Sequence, residues 1–130
     1  MKIVTDSSVF LAVALNEPER AQLVELTEGH DLIAPDVLPY ELGNALSSLL
    51  RRRRIQPRDV MKIWDILADI PVELKPVAIR PALEMAAEHR IYAYDAYFLM
   101  CSKHWRCPLL TLDTKLRSLA TANHIDVLEI

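Results

Sequence analysis

Five short, largely apolar runs, set between stretches of helical periodicity, constrain the fold of this chain more than any other feature. They are "KIVT" at the start, "DLIAP", "VELKP", "PLLTL" and a closing "IDVLEI". Runs of this kind read as strands buried on both faces, where side chains on either side of the sheet meet a core. Between them, apolar residues recur at helical spacing. "VLPYELGNALSSLLRRRR", for example, carries Leu42, Ala45, Leu46, Leu49 and Leu50. "SSVFLAVAL", "PRDVMKIWDILADI", "RPALEMAAEHR", "DAYFLMCSKHW" and "TKLRSLATAN" read as further helices, as does "PERAQLVELTEG", with proline in its first turn and Gly29 at its end. Strands separated by helices imply a parallel sheet covered on both faces. The expectation is an α/β fold, a single domain over residues 1–130 with a mostly five-stranded parallel sheet flanked by helices.

Composition narrows the function. A chain of 130 residues with 52% hydrophobic and 25% charged residues has enough apolar surface for one full core. Its net charge of −3 gives no global attraction to nucleic acid, so any such contact needs a local basic patch. Only Gly29 and Gly43 are present, which excludes a glycine-rich phosphate loop. The opening "MKIVTDSSVFLAVALN" is interrupted by Asp6 and does not read as a signal peptide, and no run reaches the roughly 18 apolar residues of a membrane span. A cytoplasmic protein with no membrane association is expected, its Cys101 and Cys107 reduced. "CSKHWRC" lacks a fourth ligand at a recognised spacing and is not read as a zinc site.

Against this background four carboxylates stand out. Asp6 in "KIVTDSSVF", Glu41 in "LPYELGNAL", Asp95 in "IYAYDAYFL" and Asp113 in "PLLTLDTKL" are each set into an apolar segment. Helix capping explains Asp6, Asp95 or Asp113 taken singly, since each stands just before a helical stretch and aspartate is a favoured N-cap. It does not explain Glu41, one to two turns inside a helix, where an unpaired buried carboxylate costs several kcal/mol. In a parallel sheet, ligands bind beyond the carboxyl ends of the strands where strand order reverses. If the strands ending at Asp6 and Asp113 are neighbours there, all four acids face one rim. An all-oxygen ligand set points to a hard cation, Mg²⁺ with Mn²⁺ able to substitute. His30, His89, His104 and His124 all lie outside the four segments. Carboxylate-bound metal without histidine suits phosphodiester hydrolysis. Ser7 and Ser8 have no base beside them to make a nucleophile, and are expected to hold the metal's waters or a neighbouring carboxylate.

These segments resemble the PIN-domain nucleases, and among them the VapC-type toxins of toxin–antitoxin pairs. "IVTDSSVFLAVAL" is similar to the family's opening strand, first acid and hydroxyl pair; "IAPDVLPYELGNAL" to its glutamate segment; and "IYAYDAYFLMCSKHWRCPLLTLD" to its last two acids. The resemblance implies that Asp6, Glu41, Asp95 and Asp113 are the catalytic and metal-binding quartet, with Ser8 and Thr111 as supporting hydroxyls. It further implies a metal-dependent endoribonuclease acting on single-stranded RNA, a homodimer, and a cognate VapB-type antitoxin that inserts a peptide into the active-site groove. One departure is Asn123-His124, where many relatives have glycine; asparagine tolerates the same left-handed turn.

Arg51, Arg52, Arg53 and Arg54 stay open between RNA phosphate contact and a solvated helix end, because consecutive helical residues surround the helix instead of forming one face. Trp64, Trp105, Tyr92 and Tyr97 read as core or dimer packing ahead of base stacking. Three other functions compete with the toxin. An RNA-processing nuclease with the same site and a non-catalytic RNA-binding or scaffold module share the fold. A phosphoacceptor domain requires an acidic pair after the first strand, where this chain has Asp6 followed by two serines.

Overall fold

The computed structural model describes residues 1–130. Four parallel strands, β1 (Lys2–Thr5), β2 (Asp31–Pro35), β3 (Glu73–Lys75) and β4 (Leu109–Leu110), lie in the order β3-β2-β1-β4. Seven helices connect them: α1 (Ser7–Ala14), α2 (Arg20–Thr27), α3 (Leu38–Arg51), α4 (Pro57–Asp69), α5 (Ile79–His89), α6 (Ala93–Trp105) and α7 (Thr114–Ala122). Successive strand residues feed opposite faces. Ile3 packs with Val9, Ala12, Leu23 and Leu110 on one side of the sheet. Its neighbour Val4 joins Ile33, Leu38, Leu46, Phe98 and Leu109 on the other. That two-sided burial is the physical reason Ile3 and Val4 of β1 and both residues of β4 are apolar.

The expected fifth strand is reduced to one bridge, Leu109 to Val127. The cause lies in β4. Thr111 leaves the sheet to receive the Asp113 N–H on its hydroxyl at 3.0 Å, so β4 ends at Leu110. Only Leu109 then presents its outer edge to the last segment, donating to the Asp126 carbonyl at 2.8 Å and accepting from Leu128 at 2.9 Å.

A chain with two glycines must end its helices on other residues. Left-handed backbone occurs at Asn16, Arg53, Arg90, Arg106 and His124, with Gly29 the one glycine so used. Two expectations change here. The left-handed residue before the last segment is His124, while Asn123 (φ −100) spends its side-chain amide on the Leu119 carbonyl at 2.8 Å. The arginine run does not wrap a helix either: α3 stops at Arg51, Arg52 caps it, and Arg53 turns the chain away at φ 57.

β1 lies between β2 and β4, so the chain moves one way across the sheet after β1 and returns to its other side for β4. This is the reversal of strand order at which parallel sheets open a crevice. β1 and β4 are neighbours as expected, with Thr5 opposite Leu110.

Candidate functional site

Each of the four carboxylates sits at a helix N-terminus on the rim where the strands end. Asp6 follows β1 at the N-cap position of α1, and Glu41 lies in the first turn of α3. Asp95 lies in the first turn of α6, and Asp113 caps α7. The partial positive charge of a helix N-terminus favours a nearby anion. Four such ends meeting at one rim lower the cost of gathering four acids there.

The four acids differ in whether they cap a helix. Asp113 is a true cap, accepting from the Lys115 and Leu116 N–H groups at 2.9 and 3.2 Å. Asp6 occupies a cap position yet makes no capping hydrogen bond. Asp95 does not precede its helix at all: Ala93 and Tyr94 are already helical, and the extended Tyr92 holds the cap position. Glu41 lies nearer the helix start than the sequence suggested.

Asp6 is buried at 5% exposure and accepts two hydroxyls, from Ser8 at 2.6 Å and from Thr111 at 2.8 Å. Ser8 also accepts the Leu112 N–H at 3.0 Å, tying α1 to the segment after β4. Both expected supporting hydroxyls thus hold Asp6. Ser7 instead reaches across to α3 and donates to Glu41 Oε1. A serine on a neighbouring carboxylate was expected; which serine would reach which acid depends on how α1 and α3 pack. The second oxygen of Glu41, Oε2, is buried without a hydrogen-bond partner.

Electrostatics link the four into a row. Burial, with Glu41 nearby, raises the Asp6 pKa from 3.8 to about 6 despite its two hydroxyl bonds. Glu41 is raised by burial and by Asp95, while Ser7 opposes the shift. Asp95 is raised by burial and by Asp113, with Lys115 opposing. Each acid in the sequence Asp6, Glu41, Asp95, Asp113 therefore feels the next as a like charge.

As the side chains stand, no three acidic, histidine or cysteine groups are gathered into a ready cage for a metal ion. The reason is visible in the hydrogen bonds: Asp6 is turned to Ser8 and Thr111, and Asp113 to the α7 backbone. The donor set nevertheless fits a hard divalent cation in two respects. All four groups are carboxylates, and a buried carboxylate oxygen without a partner is one that a cation would satisfy.

The arginine run lies elsewhere. Arg51 is ten residues beyond Glu41 on α3, about 15 Å along the helix axis. All four arginines are exposed. The aromatic residues also divide. Trp64 and Tyr97 pack against the core, and Trp105 has the Lys75 ammonium 4.2 Å from its ring centre. Tyr92 is 77% exposed and so takes no part in the core. No helix is long and apolar enough to cross a membrane.

Comparison with known proteins identifies the fold. The family profile for the PIN domain matches residues 3–122. A ribonuclease VapC3 of Pyrobaculum aerophilum is 26% identical over 122 residues, 89% of this chain and 92% of the relative. A ribonuclease VapC9 of Mycobacterium tuberculosis is 26% identical over 114 residues, 88% of this chain and 87% of the relative. Among solved structures, VapBC2 of Rickettsia felis, crystallised with a fragment of promoter DNA, superposes with TM-score 0.66 at 13% identity, covering 99% of this chain and 98% of that one. A sarcin-ricin-loop-cleaving toxin of Mycobacterium tuberculosis, VapC20, has TM-score 0.64 at 13% identity, covering 89% of this chain and 93% of its own.

Proposed function

This chain belongs to the PIN-domain family, and from that premise we propose that it is a metal-dependent endoribonuclease serving as the toxin of a VapBC-type toxin–antitoxin pair. The observation that carries the reading is the row of four mutually repelling carboxylates at one sheet rim, two of them held by hydroxyls from α1. Repulsion of this kind is unfavourable to the fold, and its maintenance is explained by a cation that offsets it. The names of the relatives, ribonucleases of the VapC kind, support the choice of RNA as substrate.

Asp6, Glu41, Asp95 and Asp113 would hold Mg²⁺ or Mn²⁺. When bound, such an ion polarises the phosphate, lowers the pKa of a water and stabilises charge on the leaving oxygen. The chain's own contribution is positional. Ser8 and Thr111 fix the Asp6 carboxylate from both sides, and Ser7 fixes one oxygen of Glu41. The α1, α3, α6 and α7 N-termini supply partial positive charge toward the RNA phosphate as well as toward the acids. The apolar cleft between α1, α2 and α4, with exposed Val24 and Ile66 on its walls, suits a helix of a VapB-type antitoxin. A homodimer is part of the same reading.

The test is cleavage of single-stranded RNA by purified protein with Mg²⁺, with Mn²⁺ and with excess chelator, alongside Asp6→Asn. Cleavage by the parent that disappears in chelator and in the variant is expected. Cleavage undiminished in chelator overturns the metal site. Growth arrest on expression, relieved in Asp6→Asn, is the second arm. Metal-dependent cleavage without arrest would instead make this an RNA-processing nuclease.

A further inference from the structure

Two of the four acids are preceded by a tyrosine: Tyr40-Glu41 at the start of α3 and Tyr94-Asp95 at the start of α6. Neighbouring helical positions differ by about 100° around the axis. While the acids turn toward the rim cluster, the tyrosines turn aside, and both line one groove of about 670 Å³. Tyr40 is 77% exposed and Tyr94 50% exposed. Tyr94 meets Tyr97 edge-on, ring centres 5.9 Å apart and planes at 89°. Val37, Val77 and Ile79 add apolar lining, and Asp36 is the one charged residue on the wall.

We propose that this groove is a nucleobase-stacking platform, holding a base of the single-stranded RNA beside the phosphate presented to the carboxylates. The inference rests on the ribonuclease reading and adds a specificity subsite to it. A row of acids repels an RNA backbone, and the arginine run stands about 15 Å along α3 from Glu41. Beyond the metal, the helix N-termini and Lys115 beside Asp95, uncharged contacts add affinity near the reacting phosphate. Stacking on aromatic side chains supplies such contacts and tolerates any base, since every base has a π-face. Tyr40 and Tyr94 are the exposed aromatics that adjoin the acids in sequence and the groove in space. The exposed Tyr92 does not line the groove and serves as the internal control.

The experiment measures binding, with cleavage prevented by chelator at low salt, of a fluorescent single-stranded hexaribonucleotide and of its abasic counterpart. Parent, Tyr40→Ala, Tyr94→Ala, Tyr94→Phe and Tyr92→Ala proteins are compared, with melting curves and sedimentation recorded for each. Tyr40→Ala and Tyr94→Ala are expected to weaken binding of the base-bearing strand roughly tenfold each, within the range of base–aromatic stacking. Both should bind the abasic strand like the parent, Tyr94→Phe should restore binding, and Tyr92→Ala should change nothing. Alanine variants with unchanged affinity overturn the platform, as does a parent that does not prefer the base-bearing strand. Variants that dissociate a dimer while keeping RNA affinity also overturn it and make the groove a contact between copies of this chain. A parent that binds through the tyrosines yet never cuts RNA in Mg²⁺ refutes the catalytic reading alone. A parent that cuts RNA with KM insensitive to both tyrosines refutes the platform alone.

Discussion

Replacing Asp6 by asparagine should stabilise the metal-free protein at alkaline pH while abolishing cleavage. In the fold the Asp6 carboxyl has a pKa of about 6, against 3.8 when freely solvated. Between those values the folded state holds a proton that the unfolded chain has released, so stability falls as pH rises through this window. Above it, ionised Asp6 costs the fold about 3 kcal/mol relative to a neutral group, at roughly 1.4 kcal/mol per pKa unit. Asparagine stays neutral at every pH and is nearly isosteric. The Ser8 and Thr111 hydroxyls can each donate or accept, so one turns to receive the new amide. The cost of ionised Asp6 is already net of the Ser8 and Thr111 bonds, which oppose the shift; an amide brings two donors where a neutral carboxyl brings one, and accommodating the second costs about 1 kcal/mol. The net gain at pH 8 is about 2 kcal/mol, or roughly 8 °C in Tm for a chain of this size. Below pH 3.8 both side chains are neutral and the advantage disappears. Thermal melts of parent and Asp6→Asn in chelator, from pH 3.5 to 8, measure this directly. A variant equal to or less stable than the parent at pH 8, or a difference independent of pH, would refute the argument that burial and like charge destabilise Asp6.

Added Mg²⁺ should raise the Tm of the parent more than that of Asp95→Asn, because an ion bound only by the folded state adds stability and the variant lacks one donor; equal shifts in a calorimetric titration would remove Asp95 from the metal set. Ser7→Ala should lower stability at neutral pH by about 1–3 kcal/mol, since Glu41 Oε1 loses its donor while Oε2 is already without one. Urea unfolding reads this, and no loss would mean that Glu41 is satisfied by water. Changing all four of Arg51 to Arg54 to glutamine should alter cleavage of a dinucleotide less than about twofold, because its single phosphodiester sits at the acids, about 15 Å along α3 from the run. A tenfold loss of kcat/KM would bring the run into the site.

Much of this site could be read from residue order, because buried strands and helix starts carry local signatures. The two-sided burial of Ile3 and Val4 shows as an unbroken apolar run, and Asp6 marks its end. The convergence of the four acids followed from parallel strands with neighbouring β1 and β4. What sequence did not disclose depends on contacts between distant elements or on single backbone angles. Nothing local distinguishes Ser7, which crosses to α3, from Ser8, which stays with Asp6. The exit from α3 at Arg51 comes from a left-handed Arg53, a residue with no particular preference for that conformation. Asp95 looked like a cap because Ala93 and Tyr94 carry no signal that the helix has already begun. The last strand is reduced to one bridge beside a two-residue β4, after which the Thr111 hydroxyl joins Asp6 and Asp113, a contact between distant elements.

The same hydroxyl that shortens β4 has a consequence for how the protein is made. The bonds that set Asp6 join residues 105 apart in sequence, and the Ser8 contact with Leu112 spans 104. No partial chain emerging from a ribosome can assemble the site until β4 and the start of α7 are available to pair with β1. Until Thr111 and Asp113 have left the ribosome, Asp6 lacks one of its two hydroxyls and the row of acids lacks its last member. A cleavage activity directed at RNA would thus be withheld, by contact order alone, from the transcript and ribosome producing it.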